Sequence, residues 1–406
     1  MKNQLLFLLA LMCVLSVSAQ TTIIPNENDS RVITTGMPFT LIAPDARAAG
    51  MGDMGVATSV DAFSQQWNSS KYVFSETKSG ISLSYTPYLK KLVNDMGIAY
   101  LSYFNRLDER SAFAASFKYF GLGEIEFVNN EFDQPVIQKP NELAFDVSYA
   151  LRLSDQYAMS VAMRYLLSDL RLNYDNSDAS AASSFGVDIS GYYQSEEEVY
   201  SDFNGRWRAG WAIQNIGPKF KYDDGGVDNF QPTNLRLGGG FDFIFDQYNK
   251  LGVTLEVAKL LVPTPPIYGT EFIDNNDNGE YDSGDELVND MAIYKGKSQD
   301  VNFLSGIFQS FGDAPGGFSE ELKEFTWALG AEYMYQDSFA LRAGYFNESE
   351  EKGARKFMAL GAGFKANVVN IDLSYLFSTA KVQSPLEGTL RFSLTLNIGS
   401  GTYMEY

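Results

Sequence analysis

Large apolar side chains fall on every second position along much of this chain. In Trp327-Ala328-Leu329-Gly330-Ala331-Glu332-Tyr333-Met334-Tyr335 the residues between them are small or charged, and Phe339-Ala340-Leu341-Arg342-Ala343-Gly344-Tyr345 repeats the pattern. Ile371-Asp372-Leu373-Ser374-Tyr375 and Leu390-Arg391-Phe392-Ser393-Leu394-Thr395-Leu396 continue it. A period of two marks β-strands with one apolar face. Soluble sandwiches use strands of about 5–6 residues and turn that face inward. Membrane barrels need about 9–11 residues and turn it outward to lipid, leaving the charged positions to the lumen. The length of these strands and the aromatic residues near their ends favour the membrane barrel.

Fourteen such strands are expected, at 81–87, 96–106, 111–121, 140–153, 156–168, 183–195, 205–216, 233–245, 249–259, 325–335, 338–346, 356–366, 369–378 and 388–398. An even number suits a closed bacterial barrel. Connections alternate in length: Leu107–Arg110, Ser154–Asp155, Asp246–Tyr248, Gln336–Asp337 and Ala366–Val368 are tight, whereas 122–139, 169–182, 217–232 and 260–324 are long. Only 196–204 departs mildly from the alternation. Tight turns on the periplasmic side and long loops outside would put both termini in the periplasm. The expected fold is therefore all-β, a 14-stranded antiparallel transmembrane β-barrel integral to the cell outer membrane.

The first residues narrow the compartment. Lys2 precedes an apolar run from Leu5 to Leu15, and Val17-Ser18-Ala19 supplies small residues before a cut, which reads as a signal peptide over 1–19. The single cysteine of the chain, Cys13, lies in that run, so no disulfide is expected in the mature chain. With 51 acidic against 31 basic side chains, the formal charge is −20, which argues against a nucleic-acid partner. Histidine is absent. A nucleophilic serine normally needs a histidine base, so an enzyme is the least favoured class and no catalytic residue is assigned.

Residues 20–79 precede the first expected strand and are rich in glycine and alanine around 46–74. No Gly-Lys-Ser/Thr follows these glycines, and Gly50, Gly52 and Gly55 do not fit a dinucleotide fingerprint. Small residues let backbones approach closely, and a segment touched on all sides by protein would be a hatch folded inside the lumen. The domain division is thus 1–19, 20–79 and a barrel over 80–406 with one long outer loop, 260–324.

That loop holds the sharpest local motif. In Asp274-Asn275-Asn276-Asp277-Asn278-Gly279-Glu280-Tyr281-Asp282-Ser283-Gly284-Asp285, oxygen ligands fall at positions 1, 3, 5, 9 and 12 of a calcium loop. These are Asp274, Asn276, Asn278, Asp282 and Asp285, with Glu280 offering its carbonyl at position 7 and Gly279 making the turn at position 6. Its closing Asp, with Glu286 beside it, resembles the dockerin variant of the EF-hand. The competing reading is a solvated acidic loop. Calcium is the one cofactor expected. Further on, Val301, Phe303, Leu304, Ile307, Phe308 and Phe311 recur at helical spacing, and Ser319-Glu320-Glu321 is expected to start a second short helix. The apolar face, Phe303, Leu304, Ile307 and Phe308 above all, either folds back on the barrel rim or meets a partner.

A family resemblance joins these observations. Ala46-Arg47-Ala48-Ala49-Gly50-Met51-Gly52-Asp53-Met54-Gly55 and Trp67-Asn68 resemble the N-terminal hatch of barrels similar to the fatty-acid transporter FadL, in which Arg47, Gly50, Gly52, Gly55, Trp67 and Asn68 would be hatch residues. Gln214-Asn215-Ile216-Gly217-Pro218 and Pro232-Thr233-Asn234-Leu235-Arg236-Leu237-Gly238 fit the same group, and within it the whole mature chain resembles the PorV family of the type IX secretion system. Asn68-Ser69-Ser70 stands where the wider group has Asn-Pro-Ala, so a ligand path is not carried over from the transporters. The resemblance implies fourteen strands and a protein that binds C-terminal signal domains of cargo. The implied partners are the translocon barrel, attachment-complex proteins, outer-membrane lipid and lipopolysaccharide. The alternative function it implies is transport of a hydrophobic small molecule.

Overall fold

The computed structural model describes residues 21–26, 30–91, 93, 95–128, 135–171, 181–222, 226–276, 278–380 and 384–400. The signal-peptide expectation over 1–19 and residue Asp277 of the calcium motif lie outside the described residues. Fourteen long strands form the wall: β1 (Thr77–Pro87), β2 (Met96–Arg106), β3 (Ser111–Leu122), β4 (Asn141–Arg152), β5 (Tyr157–Asp169), β6 (Ala182–Gln194) and β7 (Asn204–Ile216), then β8 (Asn234–Ile244), β9 (Asn249–Leu260), β10 (Phe325–Tyr335), β11 (Phe339–Asn347), β12 (Lys356–Ala366), β13 (Val369–Ser378) and β14 (Leu390–Ser400). Each pairs antiparallel with its sequence neighbours, and β1 pairs with β14, so the sheet closes on itself. All fourteen strands expected from the period-two pattern are present. β1 starts earlier than the pattern does, because Thr77-Lys78-Ser79-Gly80 pairs through its backbone without alternating in hydropathy.

The facing follows the alternation. In β4, Phe145, Val147, Tyr149 and Leu151 are exposed outward, while Ala144, Asp146, Ser148 and Ala150 are buried toward the lumen. Strands of 9 to 13 residues span a hydrocarbon core when tilted. No helix among the described residues is long and apolar enough to cross a membrane, so the strands alone carry that task. The departure at 196–204 is a small extension in which Glu198–Val199 pairs back onto the start of β7.

Residues 36–75 thread this barrel from end to end. At the end of the long connections, the Gly36 N–H donates to the Phe230 carbonyl, and Phe39 stacks on Phe120 near the close of β3. At the short-turn end, Tyr72 stacks on Phe104 and the Arg106 guanidinium donates to the Ser75 carbonyl. What precedes residue 36 is therefore at the long-connection end. There Thr21–Pro25 forms an antiparallel strand with Ile267–Ile273, which in turn pairs with Glu286–Lys295. β14 finishes at the opposite end, beside Thr77. The expectation that both termini share the periplasmic side thus fails for the described chain, whose Thr21 and Ser400 lie at opposite ends. The reason is that the hairpin in 260–324 offers Thr21–Pro25 a row of backbone partners.

The facing generates a direct test. Leu373 points outward near the middle of β13 and Ser374 points inward. Leu373→Arg should cost about 2–4 kcal/mol in lipid, and Ser374→Arg less. Denaturant titration of the heat-modifiable band in bilayers measures both, and equal costs would contradict this facing.

Candidate functional site

The hatch is built from short turns whose caps are internal. Asp45 caps the helix Ala46–Gly50 through Oδ1, which accepts from the Ala48 N–H at 2.7 Å, and its Oδ2 accepts from the Trp67 indole at 2.9 Å. Asn68 caps the 3-10 turn Ser69–Phe74 with its side-chain oxygen, while its amide donates to the carbonyls of Val56 and Gly191. Gly50 lies against the backbone of Gly361 in β12, where a Cβ would come within 3.0 Å of the Gly361 Cα. Gly52 has φ +86°, a left-handed conformation that glycine adopts without strain. All six hatch residues expected from the sequence therefore sit together inside the barrel.

Charges on the inward strand faces hold this hatch in register. Arg47 donates to both carboxylate oxygens of Glu332 in β10, at 2.8 and 2.9 Å, and to Asp61 of the hatch at 2.8 Å. Glu332 also accepts from Arg342, which reaches Asp372 at 2.7 Å. On the other wall, the Glu256 carboxylate accepts from the N–H groups of Gly55 and Val56 and pairs with Arg236, whose guanidinium lies 4.9 Å from the Trp67 ring. Arg208 donates to the Ala57 carbonyl, Lys118 to the Ile42 carbonyl, and Arg391 to Asp53. Buried charges are tolerated when paired or fully hydrogen-bonded; the arginines and carboxylates here are paired, and Lys118 is held by the Thr40 and Ile42 carbonyls.

The long connection has its own ionic root. Lys259, at the end of β9, pairs with Glu321 and Glu324, and Lys352 pairs with Glu320 and Glu324. Arg31 from the N-terminal segment also reaches Glu320. Burial works against the charge of Glu320, yet Lys352 and the Gly316 N–H hold its carboxyl below the usual value. Burial pushes the neighbouring Asp313 carboxyl up to about 6, although its Oδ2 accepts from the Thr264 N–H. No local pattern announces this root, since its members run from Arg31 to Lys352.

Above the root stand the two expected helices, Phe303–Gln309 and Phe318–Lys323. Phe303 and Ile307 are half-buried against the loop, whereas Leu304 and Phe308 project, the latter 78% exposed. Phe311, Phe318 and Leu322 extend the exposed apolar surface, and the last two had escaped the sequence pattern because they lie beyond the first helix. In the acidic turn, Asp274 accepts from the N–H groups of Asn276, Asn278 and Gly279, and Asp285 from those of Asn275 and Asp282. The amides of Asn276 and Asn278 donate to Asp282. Among the described residues, no three His, Cys, Asp or Glu side chains converge as a metal-ligand group.

Removing Glu332 from the lumenal lattice leaves Arg47 with Asp61 and Arg342 with Asp372 as their remaining carboxylates. Glu332→Ala would leave Arg47 and Arg342 buried without their shared carboxylate, at a cost of about 3–5 kcal/mol. Glu332→Gln keeps the volume and should still cost part of that. Unfolding monitored in lipid checks both, and a shift in neither variant would remove the lattice from the stabilising interactions.

Over 87% of its length the chain superposes on 99% of a monoaromatic hydrocarbon channel, the TodX deltaS2S3 mutant, at a TM-score of 0.51 and 11% identity. It also aligns with the Pseudomonas putida toluene transporter TodX at 9% identity and a TM-score of 0.48, covering 90% of this chain and 98% of that one. A Pseudomonas aeruginosa FadL homologue aligns at 11% identity and a TM-score of 0.42, covering 91% of this chain and all of that one. At such identities the first likeness shows the hatch-barrel fold alone. No curated protein matches the chain. The family model described as type IX secretion system protein PorV matches residues 25–267, more than half of the chain. With a closed outer-membrane barrel, a lumenal hatch and that match together, the chain belongs to the PorV family of the type IX secretion system.

Proposed function

We propose that this barrel binds the C-terminal signal domains of exported proteins as they leave the translocon barrel and carries them to the surface attachment machinery, where lipopolysaccharide is joined to them. On this reading the long connections face outward and the short turns face the periplasm. The observation that carries it is the exposed apolar surface of Leu304, Phe308, Phe311, Phe318 and Leu322, raised on a loop whose base is pinned by buried ion pairs. Patches of this kind on an otherwise polar loop mark protein contacts, and a pre-ordered loop loses little entropy on docking. Transport of a hydrophobic solute, the role of the structurally similar monoaromatic hydrocarbon channel, has less support here. The hatch occupies the lumen, and the charged side chains around it are bonded to it rather than lining an apolar path.

Phe308→Ser combined with Phe318→Ser alters two side chains that project from the surface, so barrel stability should change by no more than about 0.5 kcal/mol. Exported proteins should nonetheless accumulate before attachment, with their C-terminal signals uncleaved. Normal secretion at wild-type barrel levels would refute the docking role.

We also propose calcium for the turn Asp274–Asp285, with Asn276, Asn278, Asp282 and the Glu280 carbonyl completing the oxygen set. Because Asp274 and Asp285 already hold backbone N–H groups, alanine there would loosen the turn with or without a metal. Asn at both positions keeps an acceptor and removes the charge. Chelator should expose 267–295 to protease in the unmutated protein, and calcium should give Asp274→Asn with Asp285→Asn no protection. Identical digestion of the unmutated protein with calcium and with chelator would dismiss the metal.

A further inference from the structure

The hairpin of the long connection is a three-stranded sheet with one closed edge and one open edge. Thr21–Pro25 covers the outer side of Ile267–Ile273, while no described strand covers Glu286–Lys295. An open edge presents unpaired N–H and C=O groups and is usually blunted by lysine, proline or shortness. This one is ten residues long and contains no proline, and its one lysine stands at the very end. Leu287, Val288, Met291, Ile293 and Tyr294 are all exposed along it.

We infer that Glu286–Lys295 binds a β-strand of the cargo signal domain by main-chain pairing, and that this strand carries lysine or arginine. The inference rests on the docking role proposed above and names its contact. Three physical requirements select the occupant. The backbone groups of the edge need hydrogen-bonding partners, which lipid tails do not supply. Its apolar side chains need burial, which water does not supply. An added strand meets both needs at once, the main chain giving affinity and alternate side chains giving specificity. Charge decides between strands. The hairpin from Ile267 to Lys295 holds eight acidic residues against one lysine, so pairing with a second copy of itself would bring like charges together, whereas a basic strand is attracted. Thr21–Pro25 shows that the same hairpin accepts a strand along its other side.

The test uses the full-length protein in detergent and a purified C-terminal signal domain from an exported protein. The one cysteine of the sequence is Cys13, so single cysteines at 287–294 in a Cys13→Ser background report contacts cleanly. They should cross-link to one strand of the signal domain, each step along the edge moving the partner site by one residue. Val288→Lys, at an exposed position, should weaken binding about tenfold while leaving the protease pattern of the hairpin unchanged. Binding should also fall as salt rises. Unaltered affinity in Val288→Lys, with cross-links only from the helical surface around Phe308, would overturn the strand contact and leave the docking role intact. Cross-links between two copies of this chain would overturn it in favour of self-association. Absence of binding by the unmutated protein would overturn both readings.

Discussion

A β-strand in hydrocarbon must bond both of its edges to other strands, because lipid offers no hydrogen bonds to the backbone. Closure of β1 on β14 follows from that requirement, and nearly everything else in the molecule follows from closure. Once the wall is a ring, period-two alternation divides each strand between lipid and lumen. Fourteen strands enclose a space too wide for wall side chains alone to fill. The inward positions are mostly small, as with Ala144, Ser148 and Ala150 in β4, and so the space goes to residues 36–75.

A hatch of that kind has little regular structure with which to satisfy its own backbone. Its longest α-helix is five residues and its longest 3-10 turn six, so much of its backbone lacks regular helical or strand pairing. The wall provides the partners. Glu256 takes two adjacent amides, Lys118 and Arg208 take carbonyls, and Glu332 binds Arg47 and Arg342 together. Positions that would weaken a soluble sandwich therefore become the means by which the plug is held.

Much of this was readable from the chain. All fourteen strands announce themselves through alternation, since one face of each meets lipid. The hatch is visible in its small residues, because Gly50 and Gly361 touch backbone to backbone. The pairing of hatch and wall was not visible. Arg47 and Glu332 are 285 positions apart, and no local pattern says which inward carboxylate meets which guanidinium. The strands 267–273 and 286–295 were missed for a different reason. Glu286–Lys295 is exposed on both faces, so its hydropathy has no period to read. With that hairpin illegible, nothing in the sequence says that Thr21–Pro25 pairs with it, at the end of the barrel opposite Ser400.

Lumen and loop differ in which of their groups are already bonded. Inside, the polar groups of wall and hatch are largely taken up by one another, and opening a route would separate buried charges at several points together. Outside, the ion pairs of Lys259 and Lys352 fix only the base of the loop, leaving apolar helices and a strand edge uncovered above it. The N-terminal segment joins the two regions. Asn26 is bonded to the Tyr268 carbonyl in the hairpin, and ten residues later Gly36 is bonded to Phe230 at the mouth of the barrel. The N-terminal strand is thus bonded to the hairpin on one side of this segment and the hatch to the barrel mouth on the other, so the chain that fills the lumen also builds part of the sheet above it.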